Sequence, residues 1–260
     1  MSILEKIVVQ KRIEIKQAKA QFNIAQLEKQ LYFERDCYSL KEFLVDPTKT
    51  GIIAEFKRHS PSKGLINGHS SVEEVSQAYS HAGASAISIL TDEKFFQGSS
   101  QDILKARPLH RCPILRKDFI LDPYQIYQAK AWGADIILLI AAILNPAEIL
   151  ELTKIAKHLG LSVLLEVHNH LELERSLNPF IDAVGVNNRN LDDFKVDINT
   201  SFELAKYIPK DFMKVSESAI NQPETVKALK QVGYEGFLIG ELFMREQDPG
   251  IAMQAFVDRL

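Results

Sequence analysis

Seven side chains of this sequence stand where they could move or hold protons. In IIAEFKRHSPSKG an apolar run ends in a carboxylate, Glu55, and an amine, Lys57. Further on, ILRKDF carries Lys117, VLLEVH carries Glu166, AVGVNNR carries Asn187 and Arg189, and MKVSES carries Glu217. Side chains of an extended strand alternate between two faces. Glu55 and Lys57 therefore share the face of Ile53, Lys117 that of Leu115 and Phe119, and Glu166 that of Leu164. Asn187 and Arg189 likewise fall in phase with Gly185, and Glu217 with Val215. Each run is apolar first and polar last on that one face. Buried charge costs several kcal/mol per ion unless it is paired, so these groups must pair with one another or meet a charged ligand. Carboxylates facing amines are equipment for general acid–base catalysis, and a lysine there could also attack a carbonyl as a nucleophile. Isolated ion pairs at solvated strand ends would look the same one pair at a time; five strands in phase argue against that.

Eight short apolar runs bounded by turn residues are the elements that must carry these groups. They are GIIAEFK from Gly51, ASAISIL from Ala84, CPILRKDF from Cys112, DIILLIAA from Asp135, LSVLLEVH from Leu161, DAVGVNN from Asp182, MKVSES from Met213 and GFLIG from Gly236. Segments such as SSVEEVSQAYSHAG, DPYQIYQAKAWGA, NPAEILELTKIAKHLG and NQPETVKALKQVGY lie between them, with polar starts and helical apolar spacing. Eight strand–helix alternations predict an α/β fold, a (β/α)8 TIM barrel, whose active site lies at the C-terminal ends of the strands. A doubly wound sheet is disfavoured because no G-x-G-x-x-G turn follows the first strand. Residues 1–46 precede it and predict an N-terminal helical cap on a single domain spanning 1–260.

The turns after the last two strands suggest an anion site, as barrels often bind phosphate there with backbone N–H groups. Ser218 and Ala219 follow the seventh strand; Gly240 and Glu241 follow the eighth; Ser60, after the first, could add a hydroxyl. EVHNH raises a competing possibility, since Glu166, His168 and His170 would share one face of a continued strand and could ligate zinc. Asn169 reads as the start of the next helix, which argues against that trio. The remaining histidines, His110 among them, read as loop or helix-surface residues.

Composition narrows the partners. The 260 residues carry 31 Lys and Arg against 34 Asp and Glu, a formal charge of -3, so there is no basic footprint for nucleic acid or an anionic membrane. The two cysteines, Cys37 and Cys112, read as buried thiols of a reducing, cytoplasmic compartment. Charge interrupts the N-terminal segment, unlike a signal peptide, and the longest apolar run, IILLIAAIL, is shorter than the ~20 residues of a membrane helix.

Six ordered motifs, IIAEFKRHSPSKG, ILRKDFI with DPYQIYQAKAWGADIILLIAAIL, LLEVHN, VGVNNRNL, SESAI and GFLIGELFM, closely resemble the indole-3-glycerol phosphate synthase family of tryptophan biosynthesis. The resemblance implies a (β/α)8 barrel with an N-terminal helical extension. It also implies closure of the indole ring of 1-(2-carboxyphenylamino)-1-deoxyribulose 5-phosphate, with loss of carbon dioxide and water and without metal or organic cofactor. Lys117 is then the general acid, its pKa lowered by burial and by neighbouring Lys57 and poised by carboxylates. Glu166 is the general base, Lys57 meets the substrate carboxylate and could share the acid role, and Glu55 holds either lysine. Asn187 and Arg189 hold hydroxyl and phosphate-side groups, Phe119 walls the aromatic ring, and Glu217 orients. The phosphate sits among Ser60, Ser218, Ala219, Gly240 and the N–H of Glu241.

Two departures from the family pattern stand out. Ala219 replaces a frequent glycine and disfavours positive φ, and Glu241 replaces a small residue with a negative charge near the phosphate. A related phosphate-binding isomerase, a Schiff-base aldolase using Lys117, and a non-catalytic scaffold are the alternative readings. The expected partner is a small phosphorylated substrate and the expected state a monomer.

Overall fold

A computed structural model describes residues 2–190 and 194–260; Met1 and Leu191, the end of the VGVNNRNL motif, lie outside them. The apolar runs form eight parallel strands, β1 (Ile52–Phe56), β2 (Ala86–Leu90), β3 (Ile114–Lys117), β4 (Ile136–Ile140), β5 (Ser162–Val167), β6 (Ala183–Asn187), β7 (Met213–Glu217) and β8 (Gly236–Ile239). β1 bonds to both β2 and β8, so the sheet closes into the expected barrel. Alternation decides where each side chain goes. Ile53, Leu115, Leu138, Leu164, Val215 and Leu238 fill the interior, while Ile52, Ala54, Phe56, Ile87, Ile137 and Leu139 pack against the surrounding helices.

Local chemistry starts those helices where the strands stop. The Asp122 carboxylate accepts from the Tyr124 N–H ahead of Pro123, and Asn145 forms a capping box with Glu148 ahead of the helix Pro146–His158. Such caps satisfy N–H groups that the first helical turn leaves without partners. The loop after β1 folds into a small antiparallel hairpin, His59–Ser60 with Gly64–Leu65.

The residues ahead of β1 do not form one cap; they attend to both ends of the barrel. Helix Ile3–Gln21, started by a Ser2–Glu5 capping box, buries Ile7, Lys11 and Ile15 at four-residue spacing. The Lys11 ammonium lies 2.8 Å from Asp92, just beyond β2, and 2.9 Å from Asp118, just beyond β3. This fastens the helix across the C-terminal mouth. Burial alone would lower the pKa of Lys11, but Asp118 and Asp92 outweigh it and hold the amine charged. The chain then descends the outside, where the Tyr38 N–H donates to Asp135 at 2.8 Å, and helix Leu40–Val45 puts Leu40 and Leu44 against Ile53, Ala86, Ile136 and Val215 at the opposite end.

Two smaller expectations change. Cys112 is buried, but Cys37 is only half-buried and its Sγ accepts from Lys130 Nζ at 3.3 Å. His110 is a core residue rather than a surface one, bonded to Ser76 Oγ at 2.7 Å and pushed down to about 4 by burial and Arg107. Among the described residues no helix is long and apolar enough to cross a membrane.

Leu40 is fully buried and Leu31 is 84 % exposed. Leu40→Ala should therefore cost roughly 2–5 kcal/mol in urea unfolding, and Leu31→Ala less than about 0.5 kcal/mol. Equal effects would show that Leu40–Val45 does not seal the barrel.

Candidate active site

Lys117 ends β3 pointing inward, and its amine donates to Glu166 Oε2 and to Glu217 Oε2, each at 2.9 Å. Glu55, from β1, accepts from Lys57 at 2.6 Å. The four acid–base groups expected from strand parity, with Glu217, thus converge on one mouth. Phe119, Asn187 and Arg189 line the same cavity of about 150 Å³, whose roof is Ile3, Leu4 and Ile7 of the N-terminal helix. Phe119 packs against Phe96, their rings 5.9 Å apart, so one wall is aromatic. Asn187 Oδ1 accepts the Arg189 N–H at 3.0 Å, which sets the direction of that amide.

Two glycines make the convergence sterically possible. A Cβ on Gly185 would lie 2.3 Å from Glu217 Oε1, and one on Gly240 would lie 2.7 Å from Glu55 Oε1. Strands β6 and β8 therefore leave gaps through which carboxylates of their neighbours lean into the site.

The electrostatics reverse one expectation. Burial alone would lower the pKa of Lys117, but Glu166, Glu217 and Glu55 outweigh it and hold the amine well above its ordinary range. The Lys57 amine is turned to Glu55. Burial opposes the charge on Glu166 too, yet Lys117 and His168 keep it well below the usual carboxylate range. Glu217 goes the other way. Burial, with Glu166 and Glu55 nearby, pushes it up to about 7 against the pull of Lys117, and its Oε1 is buried without a hydrogen-bond partner among the described residues.

On the far side of Glu55 and Lys57 lies a cleft of about 590 Å³ lined by Ser218, Ala219, Gly240 and Glu241. Among the described residues four cations, Lys57, Lys63, Arg189 and Arg245, line it against two carboxylates, Glu55 and Glu241. Ser60 is not in this wall; it is buried in the central cavity, with Ser62 Oγ 3.4 Å away facing both spaces. Ala219 does take the left-handed conformation it was expected to avoid, with φ of 61° beside Ser218 at 65°. Asn188 holds that turn, donating to Glu217 O at 3.0 Å and Ser218 O at 3.2 Å. The Glu241 charge is countered, by Arg189 at 3.4 Å and Lys63 at 3.5 Å.

The zinc trio does not assemble. His170 begins the helix His170–Ser176 and stacks edge-on with Tyr207. Among the described residues no group of three or more His, Cys, Asp and Glu side chains is placed to hold a metal ion. Sequence reasoning passed over Lys63, Phe96 and Lys11, and weighed His168 only as a zinc ligand. The lysine in the apolar stripe Ile7–Lys11–Ile15 was a readable signal, because a helix rarely buries an amine without a partner.

The raised pKa of Glu217 makes a pH prediction. The fold favours its uncharged form, so the stability it contributes is present below about 4.5 and is lost as pH rises through about 7. Glu217→Gln lacks this titration and should gain on the wild type between pH 5 and pH 8 in urea unfolding midpoints. A gap of the same size at both pH values would contradict the assignment.

Comparison with known proteins gives this geometry a family. A family model described as indole-3-glycerol phosphate synthase matches residues 4–256. A protein of that name from Bacteroides thetaiotaomicron is 50% identical, with 98% of this chain and 97% of that one covered. One from Carboxydothermus hydrogenoformans is 42% identical over 98% of this chain and 99% of its own length. Among solved structures, 3-hexulose-6-phosphate synthase from Salmonella typhimurium superposes with a TM-score of 0.63 at 13% identity, covering 80% of this chain and 97% of that one. The tryptophan synthase complex of Pyrococcus furiosus gives 0.59 at 15%, with 82% and 98% covered. At such low identity these two speak only to the barrel. The ordered motifs, the family match along nearly the whole chain and the close relatives together place the chain in the indole-3-glycerol phosphate synthase family, carboxy-lyases of tryptophan biosynthesis.

Proposed function

We propose that this protein converts 1-(2-carboxyphenylamino)-1-deoxy-D-ribulose 5-phosphate to indole-3-glycerol phosphate, releasing carbon dioxide and water. The observation that carries the proposal is the Lys117 ammonium held between Glu166 and Glu217 on the floor of a cavity with an aromatic wall and a cationic cleft beside it. The substrate has those three parts: a reacting ketone, an aromatic ring and a phosphate.

Ring closure joins the aryl carbon bearing the carboxylate to the ketone carbon, and the ketone oxygen takes a proton as the bond forms. Lys117 is the donor, protonated at neutral pH because its carboxylates keep it so. Lys57, already beside Glu55, draws the substrate carboxylate until it leaves as carbon dioxide and the ring electrons return. Loss of water then needs a base for a ring proton and an acid for the departing hydroxyl. Glu166 is that base, its charge preserved by Lys117 and His168, and Lys57, sharing the acid role, protonates the hydroxyl as it leaves. Asn187, its Oδ1 engaged by Arg189, presents its NH₂ group to a substrate hydroxyl. Phe119 and Phe96 face the aromatic ring. The phosphate lies in the cleft of Ser218, Ala219 and Gly240, with Arg189 and Lys63 transferring from Glu241 to the stronger anion.

A Schiff-base aldolase needs a neutral lysine, and the carboxylates around Lys117 disfavour one. Indole fluorescence followed after adding the ribulose phosphate should rise with the wild type and fall at least about 10²-fold in rate with Lys117→Ala. Arg189→Ala should act mainly on KM. Borohydride should trap no adduct on Lys117. A silent wild type, or a Lys117→Ala variant of equal rate, would refute the proposal.

A further inference from the structure

Glu166 has two carboxylate oxygens and only one of them meets Lys117. Oε1, the other, faces His168 Nε2 at 3.4 Å, an ionic contact rather than a full hydrogen bond. The opposite ring nitrogen, Nδ1, lies 3.1 Å from Glu172 Oε2. That same oxygen accepts the His168 backbone N–H at 2.8 Å, while Asn169 binds the other oxygen of Glu172 at 2.9 Å. Glu172 is thereby fixed, and through it the imidazole. The three side chains are 4 %, 12 % and 14 % exposed in the order Glu166, His168, Glu172, so the row is largely screened from water.

We propose that His168, clamped by Glu172, is a positioning residue that holds Glu166 ionised and turned towards Lys117 in the ring-closing and dehydration steps. The inference rests on the reaction proposed above. A neutral imidazole would aim a lone pair at one of the two carboxylates; only the imidazolium offers an N–H to both. Burial opposes that charge, but Glu166 and Glu172 outweigh it and push the ring up to about 10. Other charges share the neighbourhood. Glu5 of the N-terminal helix, Arg189 beyond β6, and Lys195 and Asp197 of the following loop line the same cleft, and Lys117 stands on the far side of Glu166. His168 is the cation that remains beside Glu166 once Lys117 has given its proton to the ketone oxygen. Among the described residues His168 Nε2 has no other hydrogen-bond partner, so its N–H is directed at that carboxylate alone.

The test compares wild type, His168→Ala and Glu172→Gln by the pH dependence of kcat/KM with the ribulose phosphate. Removing an opposite charge at this range should move the acid limb up by about one pH unit from its depressed position, with kcat falling by up to roughly tenfold on that limb only and KM nearly unchanged. Glu172→Gln, which keeps the ring, should move it in the same direction by less. An unshifted limb in both variants overturns the inference, even where unfolding midpoints drop, because a merely structural residue would alter stability and leave the limb in place. Ring Cε1–H NMR supplies a readout free of turnover, with the His168 signal identified by its loss in His168→Ala. The ring should stay charged at pH 8 in the wild type and titrate closer to the ordinary 6.5 in Glu172→Gln. Wild-type titration near 6.5 would overturn the clamp. A wild type that leaves the substrate untouched would overturn the proposed reaction and the role with it, while the ring titration would still report on the clamp itself.

Discussion

A lysine ammonium stays buried in a barrel only where carboxylates surround it, and the C-terminal half of this fold is arranged around that condition at Lys117. Glu166 comes from β5, two strands away, and Glu217 from β7, with Gly185 of β6 lacking the Cβ that would block Glu217. Glu55 adds its charge from β1 across the gap left by Gly240. Below that layer the interior is aliphatic, so the charges have only one another and the cavity to face. Three carboxylates around two amines leave an excess of negative charge, and Glu217 absorbs it by holding its proton up to about 7. The site thus pairs an ammonium and a carboxylate that both keep their charge with a second carboxylate, Glu217, that changes its own near neutrality.

The triplet Arg116–Lys117–Asp118 ties this site to the cap. Its middle residue points inward and its neighbours point the other way. Arg116 lies over the Trp132 ring at 4.3 Å and donates to Asp118 at 2.9 Å and Gln125 O at 2.6 Å. Asp118 in turn receives Lys11 from the helix above. Buried ion pairs of this kind add little net stability compared with an apolar contact, but they admit few alternative arrangements. The N-terminal helix is thereby registered against the strand that carries Lys117, and Ile3, Leu4 and Ile7 become a roof rather than a loose flap.

Backbone strain marks the other half of the site. Ser218 and Ala219 are consecutive non-glycine residues at positive φ, each costing on the order of 1–3 kcal/mol. Asn188 offsets that through its NH₂ group, whose two hydrogens are shared among Ser216 Oγ, Glu217 O and Ser218 O. Its own carbonyl accepts from the backbone and hydroxyl of Ser201. One asparagine therefore joins the end of β7 to the helix after β6 and keeps the turn open towards the cationic cleft.

Strand alternation was legible in the sequence because it depends on nothing beyond a period of two. From it follow the barrel, the inward set Glu55, Lys57, Lys117, Glu166, Asn187 and Glu217, and the mouth at which they meet. The site motifs carried the family as well, since their order along the chain is itself sequence. Parity says which face a side chain takes, however, and not which neighbour it finds. Lys117 reads as a lysine with a lowered pKa while Lys57 is taken as its neighbour; it becomes a strongly basic one because closure of the barrel brings carboxylates from strands far along the chain to its amine. The two destinations of the N-terminal residues, the pairing of Lys11 with Asp92 and Asp118, and the left-handed turn at Ala219 also required the tertiary structure. Each is a contact between segments whose separation along the chain holds no trace of their distance in space.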